Sequence, residues 1–176
     1  MELVQELTHS FTAEASPEVV WLVLWDVPVL ARCLPGCEGV TAQAEGKSYT
    51  AHVRRKIAAF SITFELNIAV VASEVNRLIS LQVAGRDKRL RSELRQDLEV
   101  RLSPLGGALT KIEITTIIRL EGLLASLGKN LVSMQFFHVL DDFAENLLAA
   151  IKSRAAQVAP GKPAANPRHS VSGIGG

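Results

Sequence analysis

Between residues 39 and 121 apolar and polar side chains alternate with a period of two. Residues 90–102 are the most regular. Leu90, Leu94, Leu98, Val100 and Leu102 share one parity, while Arg91, Glu93, Arg95, Asp97, Glu99 and Arg101 take the other. This is the signature of a strand with one face in an apolar core and one in water. The same reading predicts strands over 2–13, 40–45, 48–57, 60–70, 78–84 and 109–121. The 60–70 segment places Phe60, Ile62, Phe64, Leu66, Ile68 and Val70 on one face. Gly46-Lys47 and the stretch 103–107 read as hairpin turns. Links this short imply an antiparallel meander.

Two breaks in the alternation read as helices. Ser16 caps a short apolar helix with Pro17 at its first position, and Asp26 caps a second that Pro35-Gly36 ends. From residue 122 to 154 no proline intervenes and Leu, Ala, Lys and Glu dominate, which predicts one long helix. At about 100° per residue, Leu123, Leu127, Leu131, Met134 and His138 form one stripe, continued by Asp141 and Glu145. Phe136, Val139, Phe143 and Leu147 form an apolar face on the other side. Such a helix has two surfaces to cover.

The order strand, helix pair, about six strands, long helix defines an α+β fold. A twisted meander of about seven strands curls, and the long helix is the natural plug for its concave face. Sheets that grip a helix leave a cavity between the two, which is the default ligand site. The residues expected to line it are Ile62, Phe64, Leu66, Leu94, Ile114, Ile118, Leu127, Leu131 and Met134, with His138 at its polar end. Residues 1–154 are expected to form this domain. Residues 155–176, rich in Ala, Pro, Gly and Ser, are expected to be a disordered tail.

Composition narrows the function. A chain of 176 residues suits one domain, and its net charge of +1 offers no global field for nucleic acid. The first residues show no basic stretch followed by an apolar run, and no segment reaches the ~20 apolar residues of a bilayer span. Two cysteines are too few for a disulfide framework, so a cytoplasmic setting is expected.

Little in the sequence carries reactive chemistry. Cys33 and Cys37 lack two further ligands nearby and read as core or pocket-lip residues, so no metal or cofactor is expected. Gly122 to Lys129 is spaced one residue too long for a phosphate-binding loop, and Asn130 stands where a hydroxyl is needed. The alternating charges of 91–101 read as a solvated outer sheet face. Only residues 86–91 are locally positive, and that turn could meet anionic lipid headgroups.

Several segments together resemble the START-like (SRPBCC, helix-grip) superfamily, and more narrowly the G-subunit family of carbon monoxide dehydrogenase. They are Phe11 with Ser16-Pro17-Glu18-Val19-Val20-Trp21, Asp26-Val27-Pro28-Val29-Leu30-Ala31, and Cys33-Leu34-Pro35-Gly36-Cys37-Glu38. Leu102-Ser103-Pro104-Leu105 and Gly122-Leu123-Leu124-Ala125-Ser126-Leu127-Gly128 with Phe136-Phe137 complete the set. The resemblance implies a non-enzymatic cytoplasmic protein, peripheral on the inner face of the cell membrane. It would hold a lipid or quinone and help a molybdenum hydroxylase reach the membrane or mature. Two alternatives stay open. One is a cyclase or dehydratase using His138 with an acidic neighbour as general base. The other is a docking adaptor with a filled core and an apolar patch near Phe136-Phe137.

Overall fold

A computed structural model describes residues 1–158. Strand β1 (Glu2–Ala13) is followed by helices α1 (Pro17–Leu24) and α2 (Val27–Cys33). Six strands come next: β2 (Cys37–Ala44), β3 (Ser48–Ile57), β4 (Phe60–Glu74), β5 (Leu78–Asp87), β6 (Ser92–Gly106) and β7 (Leu109–Glu121). A turn of 3-10 helix, Leu123–Leu127, then leads into helix α3 (Lys129–Gln157). All seven strands form one antiparallel sheet in the order β1-β7-β6-β5-β4-β3-β2. The meander is therefore continuous from β2 to β7, and β1 closes it on the far side of β7.

The caps act as the sequence predicts. The Val19 amide donates to Ser16 Oγ, and the Val29 amide donates to Asp26 Oδ1, each at 3.4 Å. Both oxygens satisfy amides that a helix start leaves without partners. Several strands outrun their expected ends: β4 continues to Glu74, β5 passes Gly85 to Asp87, and β6 runs into the expected 103–107 loop as far as Gly106. Cross-strand pairing carries them on after the apolar alternation weakens.

One expectation needs correction. Residues 122–154 do not form a single helix. Gly122 and Gly128 both adopt φ near +87° with extended ψ, a region open almost only to glycine, and they bracket the 3-10 turn. At Gly122 a Cβ would stand 2.0 Å from the Arg91 carbonyl oxygen, so the chain passes directly against the β5–β6 turn. Buried Ser92 completes the anchor. Its hydroxyl accepts from the Leu124 amide at 3.0 Å and donates to the Leu90 carbonyl. The helix proper starts only after Gly128 and runs to Gln157, past the expected end of the domain at 154. The remainder of the expected tail, from 159, lies outside the described residues.

The main core lies under α3 from Leu140 onward. Leu140, Ala144, Leu147 and Ile151 are buried there with Val20, Val23 and Leu24 of α1, Cys33 of α2, and Ile112 and Ile114 of β7. Asn146 Nδ2 donates to the Cys33 carbonyl at 3.0 Å and Arg154 pairs with Asp26 at 3.2 Å, tying α3 to the short helices. In the first half of α3 no residue before Leu140 is fully buried.

Candidate functional site

That asymmetry produces the site. Helix α3 lies against β1, α1 and α2 and stands off β3 to β5. Beneath its first half is a cavity of about 410 Å³, within the usual range for small-molecule sites. The sheet contributes the inward parity of each strand: Val53 and Ile57 from β3, Phe64, Leu66 and Ile68 from β4, Leu81 and Val83 from β5, Leu94 and Leu98 from β6. The roof is Val132, Phe136, Val139 and Phe143 of α3, and Leu30, Ala31 and Leu34 close it from α2 and the residue after it. Most of these wall residues are half-buried rather than buried, because they face the hollow instead of each other. A second depression, on the outer face, is lined by Asn67, Gln82, Arg95 and the Asp97–Arg119 pair, and has the polar character of a wetted surface.

Seven of the ten expected residues line the cavity: Ile62, Phe64, Leu66, Leu94, Ile114, Ile118 and Leu127. Leu131, Met134 and His138 do not, which corrects the expectation. Met134 and His138 are exposed on α3, and Met134 retains 47% of its accessible surface. The reason is the break at Gly128. An apolar stripe drawn continuously from Leu123 runs through a 3-10 turn and a glycine, and neither keeps the 100° step. The other apolar face, Phe136, Val139, Phe143 and Leu147, is the one that turns inward. With His138 outside the cavity, a general base at that position has no access to a molecule held within.

The wall also holds polar groups that the sequence reading missed: Arg55, Gln96 and Gln135. Arg55 and Gln96 could have been found from parity alone. Each interrupts an apolar row, Tyr49-Ala51-Val53-Arg55-Ile57 in β3 and Leu94-Gln96-Leu98-Val100 in β6. Trp25 lines the wall as well, edge-on to Trp21 at 5.7 Å. Cys37 sits at the cavity, whereas Cys33 is buried, and burial pushes its thiol above the ordinary value. Among the described residues no group of three or more His, Cys, Asp or Glu is placed to hold a metal.

The positive turn between β5 and β6 is partly neutralised. Arg86 pairs with Glu93 at 3.0 Å and Lys88 with Glu65 at 3.8 Å, while Arg89 donates to the Ser61 carbonyl. Asp87, buried inside that turn, accepts from the Thr63 amide at 2.7 Å and the Leu90 amide at 2.9 Å. Burial alone would raise its carboxyl pKa. The amides of Thr63, Leu90 and Arg89 and the Arg89 charge outweigh that and hold it below the usual value. No helix among the described residues is long and apolar enough to cross a membrane.

A curved seven-stranded antiparallel sheet around a C-terminal helix, with two short helices after the first strand and a cavity between, is the START-like helix-grip fold. The model of the CoxG family, described as the G subunit of carbon monoxide dehydrogenase, matches residues 10–152, and the chain belongs to that family. A comparison with curated protein sequences gave no match. Among solved structures, a conserved protein from Geobacillus kaustophilus is similar at 21% identity and a TM-score of 0.79, over 85% of this chain and 96% of that one. The ZhuI aromatase/cyclase from Streptomyces sp. R1128 is similar at 16% identity and a TM-score of 0.67, over 90% and 99%. A START superfamily protein from Mycobacterium smegmatis has the same identity and TM-score, 16% and 0.67, over 84% and 97%.

Proposed function

We propose that the protein is a carrier that holds a hydrophobic small molecule, a lipid or a quinone, in the cavity beneath α3. It serves a molybdenum hydroxylase of the carbon monoxide dehydrogenase type, helping that enzyme's membrane association or maturation. The observation that carries the reading is the unfilled apolar hollow itself. Its walls keep apolar surface accessible that a packed core would have removed from water, at roughly 25 cal/mol per Å². A hydrophobic guest recovers that free energy, and a rigid sheet and helix that already surround the space lose little order on binding. The family's name supports the choice of partner. The β5–β6 turn, with Arg91 beside the paired Arg86 and Lys88, is the surface proposed to meet anionic headgroups.

The test is to purify the protein from its own host, extract bound small molecules into organic solvent and identify them by mass spectrometry. A stoichiometric lipid or quinone is expected, together with a co-purifying molybdenum hydroxylase. Protein that arrives empty and takes up neither class on incubation overturns the carrier reading. Sedimentation with liposomes, with and without anionic lipid, tests the surface contact, and equal pelleting rejects it.

A further inference from the structure

The inward row of β3 reads Tyr49, Ala51, Val53, Arg55, Ile57, and Arg55 is the one charged side chain in it. Its neighbour Arg54 faces outward and pairs with Glu38 at 3.3 Å. Arg55 forms no ion pair among the described residues and lines the apolar cavity. One guanidinium nitrogen donates to the Pro35 carbonyl at a long 3.4 Å, and the buried Nε has no partner. A second buried donor on the same wall, Trp25 Nε1, also has no acceptor. Arginine cannot shed its proton at any ordinary pH, so a guanidinium facing an apolar cavity is best satisfied by an anion or strong acceptors.

The side chain is also held in place. Gly36 has φ +84°, and a Cβ there would stand 2.8 Å from Arg55 Cγ and 2.4 Å from the Arg54 carbonyl oxygen. The Pro35-Gly36 backbone therefore lies directly on the Arg55 stem. The Arg54 amide fixes it there by donating to the Gly36 carbonyl at 2.8 Å. A positioned guanidinium with free donors is the group that receives a carboxylate or phosphate through paired hydrogen bonds.

Building on the carrier reading above, we propose that the cavity selects an amphiphile with an acidic head, a carboxylate or a phosphate monoester, and that Arg55 binds that head while the apolar walls take the tail. A neutral quinone leaves the Arg55 charge without a counter-ion. The acidic amphiphile satisfies both it and the apolar surface.

The test compares decanoate, decyl phosphate and decanol, which share one tail, by calorimetric titration of wild-type protein, Arg55→Leu and Arg55→Gln. The expected result is that the preference of wild type for at least one acid over decanol falls by about 10- to 100-fold in both variants, the value of a charge-assisted hydrogen-bond pair. Which acid shows the fall distinguishes carboxylate from phosphate. The glutamine variant, which keeps a donor for the Pro35 carbonyl, serves if the leucine variant does not fold. If wild type binds all three alike, or the preference survives both substitutions, the role of Arg55 is refuted while the carrier reading stands. If wild type binds none of the three but takes up decylubiquinone, the acidic-head proposal is refuted while the carrier reading stands; if it takes up none of the four, both readings fall.

Discussion

If the hollow beneath α3 is open space for a guest, a larger side chain placed in its wall should block binding without unfolding the protein. Val83 is the best position. It lies at mid-height of β5, paired with Ile68 and Gln96 on the neighbouring strands, and faces the cavity half-buried. Replacing it by tryptophan takes on the order of 100 Å² of further apolar area out of water, since a whole aromatic side chain buries about 150–250 Å². At about 25 cal/mol per Å² this is worth about 2.5 kcal/mol, less about 1 kcal/mol for fixing the ring's rotamers. Val83→Trp should then leave stability unchanged or raise it by about 1–2 kcal/mol, moving Tm up by up to about 8 °C. In a solid core the same substitution costs about 1–3 kcal/mol and lowers Tm. Titration with decylubiquinone should show affinity reduced at least about tenfold, or about 1.4 kcal/mol. Leu98→Trp, on the neighbouring strand, should behave alike. A fall in Tm of several degrees, or unaltered binding at unaltered stability, would refute the argument.

Four further outcomes follow from other parts of the molecule. His138→Ala should leave decylubiquinone affinity unchanged within about twofold, because the imidazole is outside the cavity; a tenfold loss by the same titration would contradict that placement. Gly122→Ala should destabilise by about 3 kcal/mol or more in urea unfolding, combining left-handed strain with the overlap on the Arg91 carbonyl; a change below about 1 kcal/mol would mean that the β5–β6 turn yields. Asp87→Asn should cost about 2 kcal/mol at pH 7. Because the native carboxyl pKa is lowered, its contribution is complete above the unfolded value near 4 and is lost as pH falls through the folded value, so the gap between wild type and variant must narrow in acid. Finally, maleimide should label Cys37 before buried Cys33, and a bound guest should slow the Cys37 reaction; equal rates for the two thiols would count against the cavity wall as described.

The sheet was legible because strand parity is a binary code with redundant checks. In β6 the charges at 93, 95, 97, 99 and 101 fix the outer face, and the antiparallel register passes that assignment to its neighbours. Every sheet residue expected in the wall is there. The helix offered no such check. Its two apolar faces were both visible, yet which one turned inward depended on phase, and phase depended on backbone angles at Gly128 that composition does not reveal. A glycine at each end of a short apolar stretch was the available signal, and uninterrupted helix propensity outweighed it.

Arg55 was visible in the parity of β3, but its pairing was not. The row shows one charge among apolar residues, and only the structure shows that Glu38 takes its neighbour Arg54 and leaves Arg55 without an ion pair among the described residues. The hollow itself follows from how α3 packs. From Leu140 onward α3 has Leu140, Leu147 and Ile151 to bury against two short helices, whereas its first turns pack to one side, with Val132, Phe136 and Phe137 on the cluster of Leu3, Leu7, Ile118, Leu120 and Ala125. Strand β1 and the two short helices hold the helix at one side, and the apolar rows of β3 to β6 face it across the gap. The space is therefore a consequence of where the elements meet, and the wall that surrounds it is the inward parity of strands whose register is set by their neighbours.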